Sequence, residues 1–392
     1  MLCSIFLKQH HSQKALMTIL SYTILRHLSN LYAQSNFSSL KPSQTPQMLD
    51  DKSSETLYAI LSTYGFNSTS YLTLEADKRH FFHRIVPAVT AYAQFNRVAI
   101  AAGEPMCPRR LLGTALDEFL DFTQQHSLTP LFFEVTEPVV PVLQQRGFRF
   151  LKLGEEPFFE LDRFTLKGNK MANVRSSGNT ARRRGVTVRQ YYPTSPDAVL
   201  INPQMEAISR QWLATRGSSE LSFTLGTLSL DRPGDRWYFI AEHANQVIAF
   251  LTYTPIYARQ GVYLDLMRRA EDTPPGTMDL LLSESFQMLG KAGVKLVTMG
   301  MSPLANVQDS AVEQSKHLAW LLHEFSVRGK KFYNFQQMHE FKRKFGPHFW
   351  ESKYLAYRHL GVGELDAILQ ALLHQNISGL VWWSLNQPIN LF

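Results

Sequence analysis

Two successions of short strand-like apolar runs and helix-spaced segments, parted by an acid-free basic stretch, constrain this chain more than any other feature. In the first succession, Ala88 to Phe95 and Arg97 to Ala102 predict two strands joined near Asn96. Leu112, Leu116, Phe119 and Phe122 then recur at helical spacing over Leu111 to Gln125. Leu131 to Val135 predicts a strand, Pro138 to Arg146 a helix closed by Gly147, and Phe148 to Leu153 with Pro157 to Leu161 two further strands. Leu57 to Tyr64 reads as a short helix and Tyr71 to Leu74 as a brief strand.

The second succession starts at Val186 to Tyr191, followed by a helix with Met205, Ile208, Trp212 and Leu213 on its apolar face. Trp237 to Ala241 and Val247 to Tyr253 predict a hairpin around Asn245-Gln246. Val262 to Met267 and Val294 to Met299 are strands on either side of a helix lined by Met278, Leu281, Leu282, Phe286 and Leu289. Ala311 to Arg328 and Gly361 to Gln375 complete the helical segments. Alternation of this kind predicts an α/β fold in two units, a size that 392 residues supply. The boundaries expected are a leader over 1–55, a first domain over 56–166, a basic linker over 167–185, a second domain over 186–358, and a C-terminal helix and aromatic tail over 359–392.

The basic stretch carries Lys167, Lys170, Arg175, Arg182, Arg183, Arg184 and Arg189 with no acid among them. In a chain of formal charge +7 it is the segment best placed to meet phosphates. A solvated helix or linker face would have the same composition. Only two cysteines occur, Cys3 and Cys107, which excludes a disulfide scaffold and a four-cysteine zinc site and fits a reducing, cytoplasmic setting. No run approaches 18 apolar residues, so no bilayer-spanning helix is expected. Phe81-Phe82 and the Trp382-Trp383 tail offer membrane-edge contacts, since aromatic rings favour that boundary.

Several chemistries lack their motifs. There is no Gly-x-Ser-x-Gly elbow, Walker loop or Gly-x-Gly-x-x-Gly turn, and the pairs His10-His11 and His80 with His83 lack zinc-site spacing. No metal or other cofactor is therefore expected. The candidate site lies in the second succession. Strand alternation faces Asp265 away from Leu264 and Leu266, and Arg268 follows near the strand end. They could order an amine and clamp a phosphate, or simply pair to close the strand. Gly300 before Ser302 either admits a ligand to the backbone or permits a turn. Read as extended chain, Phe341 to Phe345 puts Lys342 and Lys344 together, facing a phosphate or a developing oxyanion, with Arg343 turned away.

These segments, taken in order, resemble a known family. Gly103-Glu104-Pro105, Gly154-Glu155-Glu156, Phe164 to Gly168, Ile208-Ser209 with Trp212-Leu213, and Glu220 to Gly226 are followed by Asp265 to Arg269 and Met278-Asp279. Met299 to Leu304, Tyr333-Asn334-Phe335, Phe341 to Phe345, Pro347, Trp350 and Lys353 to Ala356 complete the set. Together they are similar to the C-terminal synthase domain of bacterial phosphatidylglycerol lysyltransferases, the multiple peptide resistance factors. The resemblance implies tandem acetyltransferase-like (GNAT-like) folds with mixed central sheets. It further implies a tRNA-dependent aminoacyltransferase that moves Lys, Arg or Ala from aminoacyl-tRNA to a hydroxyl acceptor, phosphatidylglycerol in the family. Other outcomes kept open are transfer to a peptide or soluble amine, CoA-dependent N-acylation, and lipid or RNA binding without catalysis. Pro274-Pro275-Gly276 stands where CoA-dependent relatives carry a compact pyrophosphate loop, which disfavours CoA.

On this resemblance Asp265, Arg268, Lys342 and Lys344 would be catalytic. Glu220, Ser222, Gly300, Ser302, Tyr333 and His339 would bind substrate. Lys167, Lys170, Arg175, Arg182, Arg183 and Arg184 would meet the tRNA acceptor stem. The partners implied are aminoacyl-tRNA and an anionic phospholipid, with peripheral contact at the inner membrane face and no DNA. Two departures stand out: His339 replaces the family's usual arginine, and Glu104 stands where Asp is commoner. Family members of full architecture carry membrane helices ahead of this domain. None is expected in the leader, so the chain is not expected to flip lipid by itself. No heptad or other self-association signature is present.

Overall fold

A computed structural model describes residues 49–216, 223–314 and 335–373. Among the described residues twelve strands form one mixed sheet: β1 (Arg79–Phe82), β2 (Val89–Phe95), β3 (Val98–Ala102), β4 (Thr129–Thr136), β5 (Arg149–Glu160), β6 (Thr187–Tyr191), β7 (Trp237–His243), β8 (Gln246–Ile256), β9 (Gly261–Arg269), β10 (Leu296–Thr298), β11 (Ser302–Pro303) and β12 (Phe349–Tyr357). Their order across the sheet is β1-β2-β3-β4-β12-β5-β10-β9-β8-β7-β6, with β11 on β5. The β3/β4 and β9/β10 pairs are parallel and the rest antiparallel. The helices are α1 (Asp51–Tyr64), α2 (Leu112–Gln125), α3 (Val140–Gln144), α4 (Ala172–Arg183), α5 (Ala198–Arg216), α6 (Thr277–Lys291), α7 (Phe335–Arg343) and α8 (Val362–Leu373).

Each half of the sheet is covered on both faces, which is where its apolar side chains go. In the N-terminal half, Leu116 and Phe119 of α2 and Leu143 of α3 pack with Phe132, Phe150 and Tyr354. Ala367 and Ala371 of α8 close the other face over Ile100, Leu151 and Leu355. In the second half, α4 and α6 pack through Val174, Leu281 and Phe286 on Phe239, Leu251 and Val297. Met205 and Ile208 of α5 cover Tyr238, Phe250 and Leu266 behind it. The architecture is thus a mixed α/β fold with helices flanking a central mixed sheet. Among the described residues no helix is long and apolar enough to cross a membrane.

Most predicted strands and helices stand within a few residues of their expected limits, and the exceptions have physical causes. Tyr71 to Leu74 is not a strand but part of a 3-10 turn, Ser70–Leu74, which buries Tyr71 and Leu72. The two strands expected around Gly154 are one continuous strand, β5. The basic linker is mostly a helix, α4, which packs against α6 with buried Gly178 facing Leu280. The helix α1 starts inside the stretch expected as leader, because Asp50 caps it by accepting from the Ser53 amide at 2.8 Å. Strand β12 was not expected at all, and it fills the slot between β4 and β5. Phe81 is partly buried, its ring stacked on Phe122 at 4.7 Å. Residues 311–314 are not helical; the rest of that predicted helix, the leader up to residue 48 and Trp382-Trp383 lie outside the described residues.

Candidate active site

Polar side chains are buried where β5 joins the two halves of the sheet. Glu156 of β5, fully buried, pairs with Lys353 of β12 at 3.0 Å. Its carboxylate also accepts from Ser68 Oγ at 2.8 Å and Thr298 Oγ1 at 2.9 Å. Lys353 donates to Asn67 Oδ1 at 2.9 Å, and Asn67 in turn donates to the Glu134 carbonyl at 2.8 Å and to Glu104 at 3.1 Å. Burial pulls the Lys353 ammonium down, but Glu156, Glu104 and Glu134 outweigh it and hold the group above its ordinary value. Such a site keeps charge inside because nearly every member has a partner.

Lys342 reaches this centre from α7. Its Nζ donates to the carbonyls of Gly300 and Met301, each at 2.8 Å. Burial lowers it to about 7 against the pull of Glu156 and Glu134. Tyr263 of β9 lies alongside, donating to the Thr224 carbonyl at 3.1 Å. Gly300 has φ 74°, and a Cβ there would come within 3.1 Å of the Tyr263 ring, so its open side is taken by that ring.

Asp265 sits at a β-bulge. Thr252 of β8 faces Leu266 and Tyr253 faces Leu264, which leaves Asp265 as the extra residue. The bulge corrects the expected alternation: Leu264 joins the α4/α6 core and Leu266 the α5 core, rather than sharing a face. Asp265 Oδ1 accepts from the Gly226 amide at 2.7 Å, while Oδ2 is buried without a hydrogen-bond partner among the described residues. Burial pushes its carboxyl up to about 7; the Gly226 amide opposes this, Glu75 adds to it, and Arg236 and Arg268 oppose it. Arg268 is 2% exposed, bonds Ser209 Oγ and lies over the Trp212 ring at 5.1 Å, bracing α5 against β9.

The remaining expected residues separate. Lys342 and Lys344 were expected on one face, but α7 is helical there and turns them apart. Lys344 pairs with Asp279 at 2.5 Å and lies 4.3 Å over Phe341. His339 stacks on Trp350 at 4.5 Å, and burial lowers its basicity. Ser302 lies in β11 with its Oγ buried and without a hydrogen-bond partner among the described residues. Glu220, Ser222 and Tyr333 lie outside the described residues. In the basic segment Arg175 bonds the carbonyls of Leu166 and Gly168, and Arg182 pairs with Glu284 at 2.6 Å. Lys167, Lys170, Arg183 and Arg184 are exposed.

Sequence reasoning did not single out Glu134, Glu156, Lys353 or Tyr263 as site residues. The available signal was an acid or lysine inside an otherwise apolar strand run, as in Phe133-Glu134-Val135. Among the described residues no cluster of three or more His, Cys, Asp or Glu could hold a metal. A recess of about 550 Å³ opens at the far end of β5, beside Glu160, Arg163 and Arg259. Its arginines are committed to Glu160 and Glu351, so it offers less chemistry than the buried centre.

A family model described as phosphatidylglycerol lysyltransferase, C-terminal, matches residues 58–357. The chain belongs to this family. It is 32% identical over 308 residues to the phosphatidylglycerol lysyltransferase of Bacillus subtilis, covering 78% of this chain and 35% of that protein. Against the Staphylococcus haemolyticus enzyme of the same name it is 27% identical over 321 residues, 80% of this chain and 36% of that one. The chain therefore spans about a third of the length of the curated relatives it matches. Among solved structures, L-PGS from Bacillus licheniformis superposes with a TM-score of 0.71 at 28% identity, over 84% of this chain and 99% of that one. The C-terminal DUF2156 domain from Agrobacterium fabrum gives 0.68 at 25% identity, over 81% and 97%.

Proposed function

We propose that the chain is a tRNA-dependent aminoacyltransferase that moves an amino acid from aminoacyl-tRNA to a hydroxyl of phosphatidylglycerol at a membrane surface. Its two helix-covered half-sheets are read as tandem acetyltransferase-like units over 56–166 and 186–358, with β12 exchanged into the first. The observation that carries the reading is the presence of two buried, poised groups, an acid with a free oxygen, Asp265, and an amine of low basicity, Lys342. Asp265 Oδ2 is suited to the aminoacyl ammonium. Neutral Lys342, its two N–H groups spent on Gly300 and Met301, keeps a lone pair for the acceptor hydroxyl proton. The ester is already activated, so positioning and proton transfer suffice without a covalent enzyme intermediate. Arg268 holds the Asp265 strand in place through α5, and exposed Lys167, Lys170, Arg183 and Arg184 provide a basic face for tRNA phosphates.

A CoA-dependent reaction fits less well. The Gly276 turn before α6 lies against α4 so closely that a Cβ there would be 2.0 Å from the Ser177 carbonyl, where a pyrophosphate would need open amides. The test uses purified protein, tRNA charged separately with labelled Lys, Arg or Ala, and phosphatidylglycerol vesicles. Label extracted with lipid, and lost in Asp265→Asn and Lys342→Met variants that remain folded, is the expected result. Tight tRNA binding without lipid label would move the acceptor to a peptide or soluble amine.

A further inference from the structure

Strand β4 carries an acid in an apolar run and breaks its own register there. Val135 faces Tyr354 and Phe132 faces Ala356, so Phe133 and Glu134 share the space opposite Leu355. Glu134 takes φ 62°, the left-handed region that an L side chain enters only under constraint. Strain of this kind inside a strand is an observation that calls for a function. The bulge is pinned by the Asn67 bond to the Glu134 carbonyl, and the side chain turns inward, 5% exposed.

The groups around it come from every neighbouring element. Lys353 arrives from β12, Glu156 from β5, Lys342 from α7 and Tyr263 from β9, with Glu104 behind Lys353. Glu156 is saturated by Ser68, Thr298 and Lys353. Among the described residues no hydrogen bond is made to the Glu134 carboxylate, so it is the uncommitted acid of the network that runs from Asn67 through Lys353, Glu156, Thr298 and Gly300 to Lys342. Burial raises it to about 7, Lys353 and Lys342 opposing and Glu156 adding to the rise.

We infer that Glu134 is a positioning residue for Lys342, holding the ammonium that forms when that amine takes the acceptor proton. This rests on the aminoacyl-transfer reading. The acceptor hydroxyl gives its proton to Lys342 Nζ while its oxygen bonds the aminoacyl carbonyl carbon. The ester bond to the ribose breaks, and the departing ribose oxygen takes the proton back from Lys342. Glu134 acts in its ionised form, which burial confines to about pH 7 and above, and its strained backbone turns the carboxylate into the buried centre rather than along the sheet face.

The test follows Lys342 itself, by NMR titration of protein carrying 13C-labelled lysine, with the resonance assigned through Lys342→Arg. In Glu134→Gln the Lys342 midpoint is expected about one unit lower, because an attracting negative charge is gone. The acid limb of the kcat profile should move with it in the vesicle transfer assay. Glu134→Asp, which keeps the charge one methylene further back, should shift both by less, and serves if the Gln variant does not fold. A midpoint that stays put in both variants overturns the inference, as does a fall in kcat by one factor at every pH. If the wild type transfers no amino acid yet the midpoint moves, the pairing of Glu134 with Lys342 stands and the proposed reaction falls.

Discussion

Replacing Gly226 with Ala tests whether the position of Asp265 governs turnover. A Cβ on Gly226 would lie 2.3 Å from Asp265 Oδ2 and 3.1 Å from Oδ1, whereas ordinary contacts begin near 3.4 Å. The carboxylate must therefore retreat by about 1 Å, and it loses the 2.7 Å bond from the Gly226 amide as it goes. Gly226 has no positive φ, so the substitution carries no backbone strain of its own. A displacement of about 1 Å at a reacting group costs on the order of 100-fold in rate, or about 2.7 kcal/mol. Leaving a buried carboxylate without its bond costs about 1–3 kcal/mol of stability. The assay is a double-mutant cycle of Gly226→Ala with Asp265→Ala, read by urea unfolding and by aminoacyl transfer. Removing the carboxylate removes the clash, so the two changes should couple by more than about 1 kcal/mol in stability. Gly363→Ala in α8, where a Cβ meets nothing within 4 Å, is the control. A folded Gly226→Ala enzyme with kcat within twofold of wild type would refute the assigned role of Asp265.

Asp265→Asn should stabilise the fold, and more at pH 8 than at pH 5. Folded Asp265 keeps its proton up to about 7, against 3.8 for the free side chain, so the native state carries a growing penalty as pH rises between those values. A gain on the order of 2 kcal/mol at pH 8, fading towards pH 4, is expected from thermal melts across that range. Charge reversal at Lys167, Lys170, Arg183 and Arg184 together should weaken tRNA binding at least tenfold and flatten its dependence on salt, read by filter binding, while thermal stability is kept.

Much of the fold was legible because strands such as β2, β3 and β9 are nearly continuous apolar runs, and α2 and α6 show helical spacing. Strand β12 escaped because Glu351, Ser352 and Lys353 interrupt its pattern, and Lys353 is buried against partners far away in the chain, Glu156 and Asn67. Asp265 was found by its place in the strand, but its orientation was misread because a bulge breaks the period of two on which alternation depends. The same kind of slip hid Glu134 within an apolar run. Lys342 and Lys344 were paired by treating their segment as extended; a helix rotates residues two apart through about 200°, which sends one to the buried centre and the other to Asp279. Tertiary partners, which no local pattern records, decide each of these cases.

The seat of β12 between β4 and β5 has a consequence for how the protein is made. A ribosome delivers β4 and β5 early, yet the strand that joins them arrives only with residues 349–357. Until then two edges face each other across a gap one strand wide, and Glu156 waits inside without its lysine. Closure demands a contact between the ends of a long loop, the slow kind of event in folding. A nascent chain stalled before residue 349 would hold both half-sheets and no finished centre, which closes only when residues 349–357 are in place.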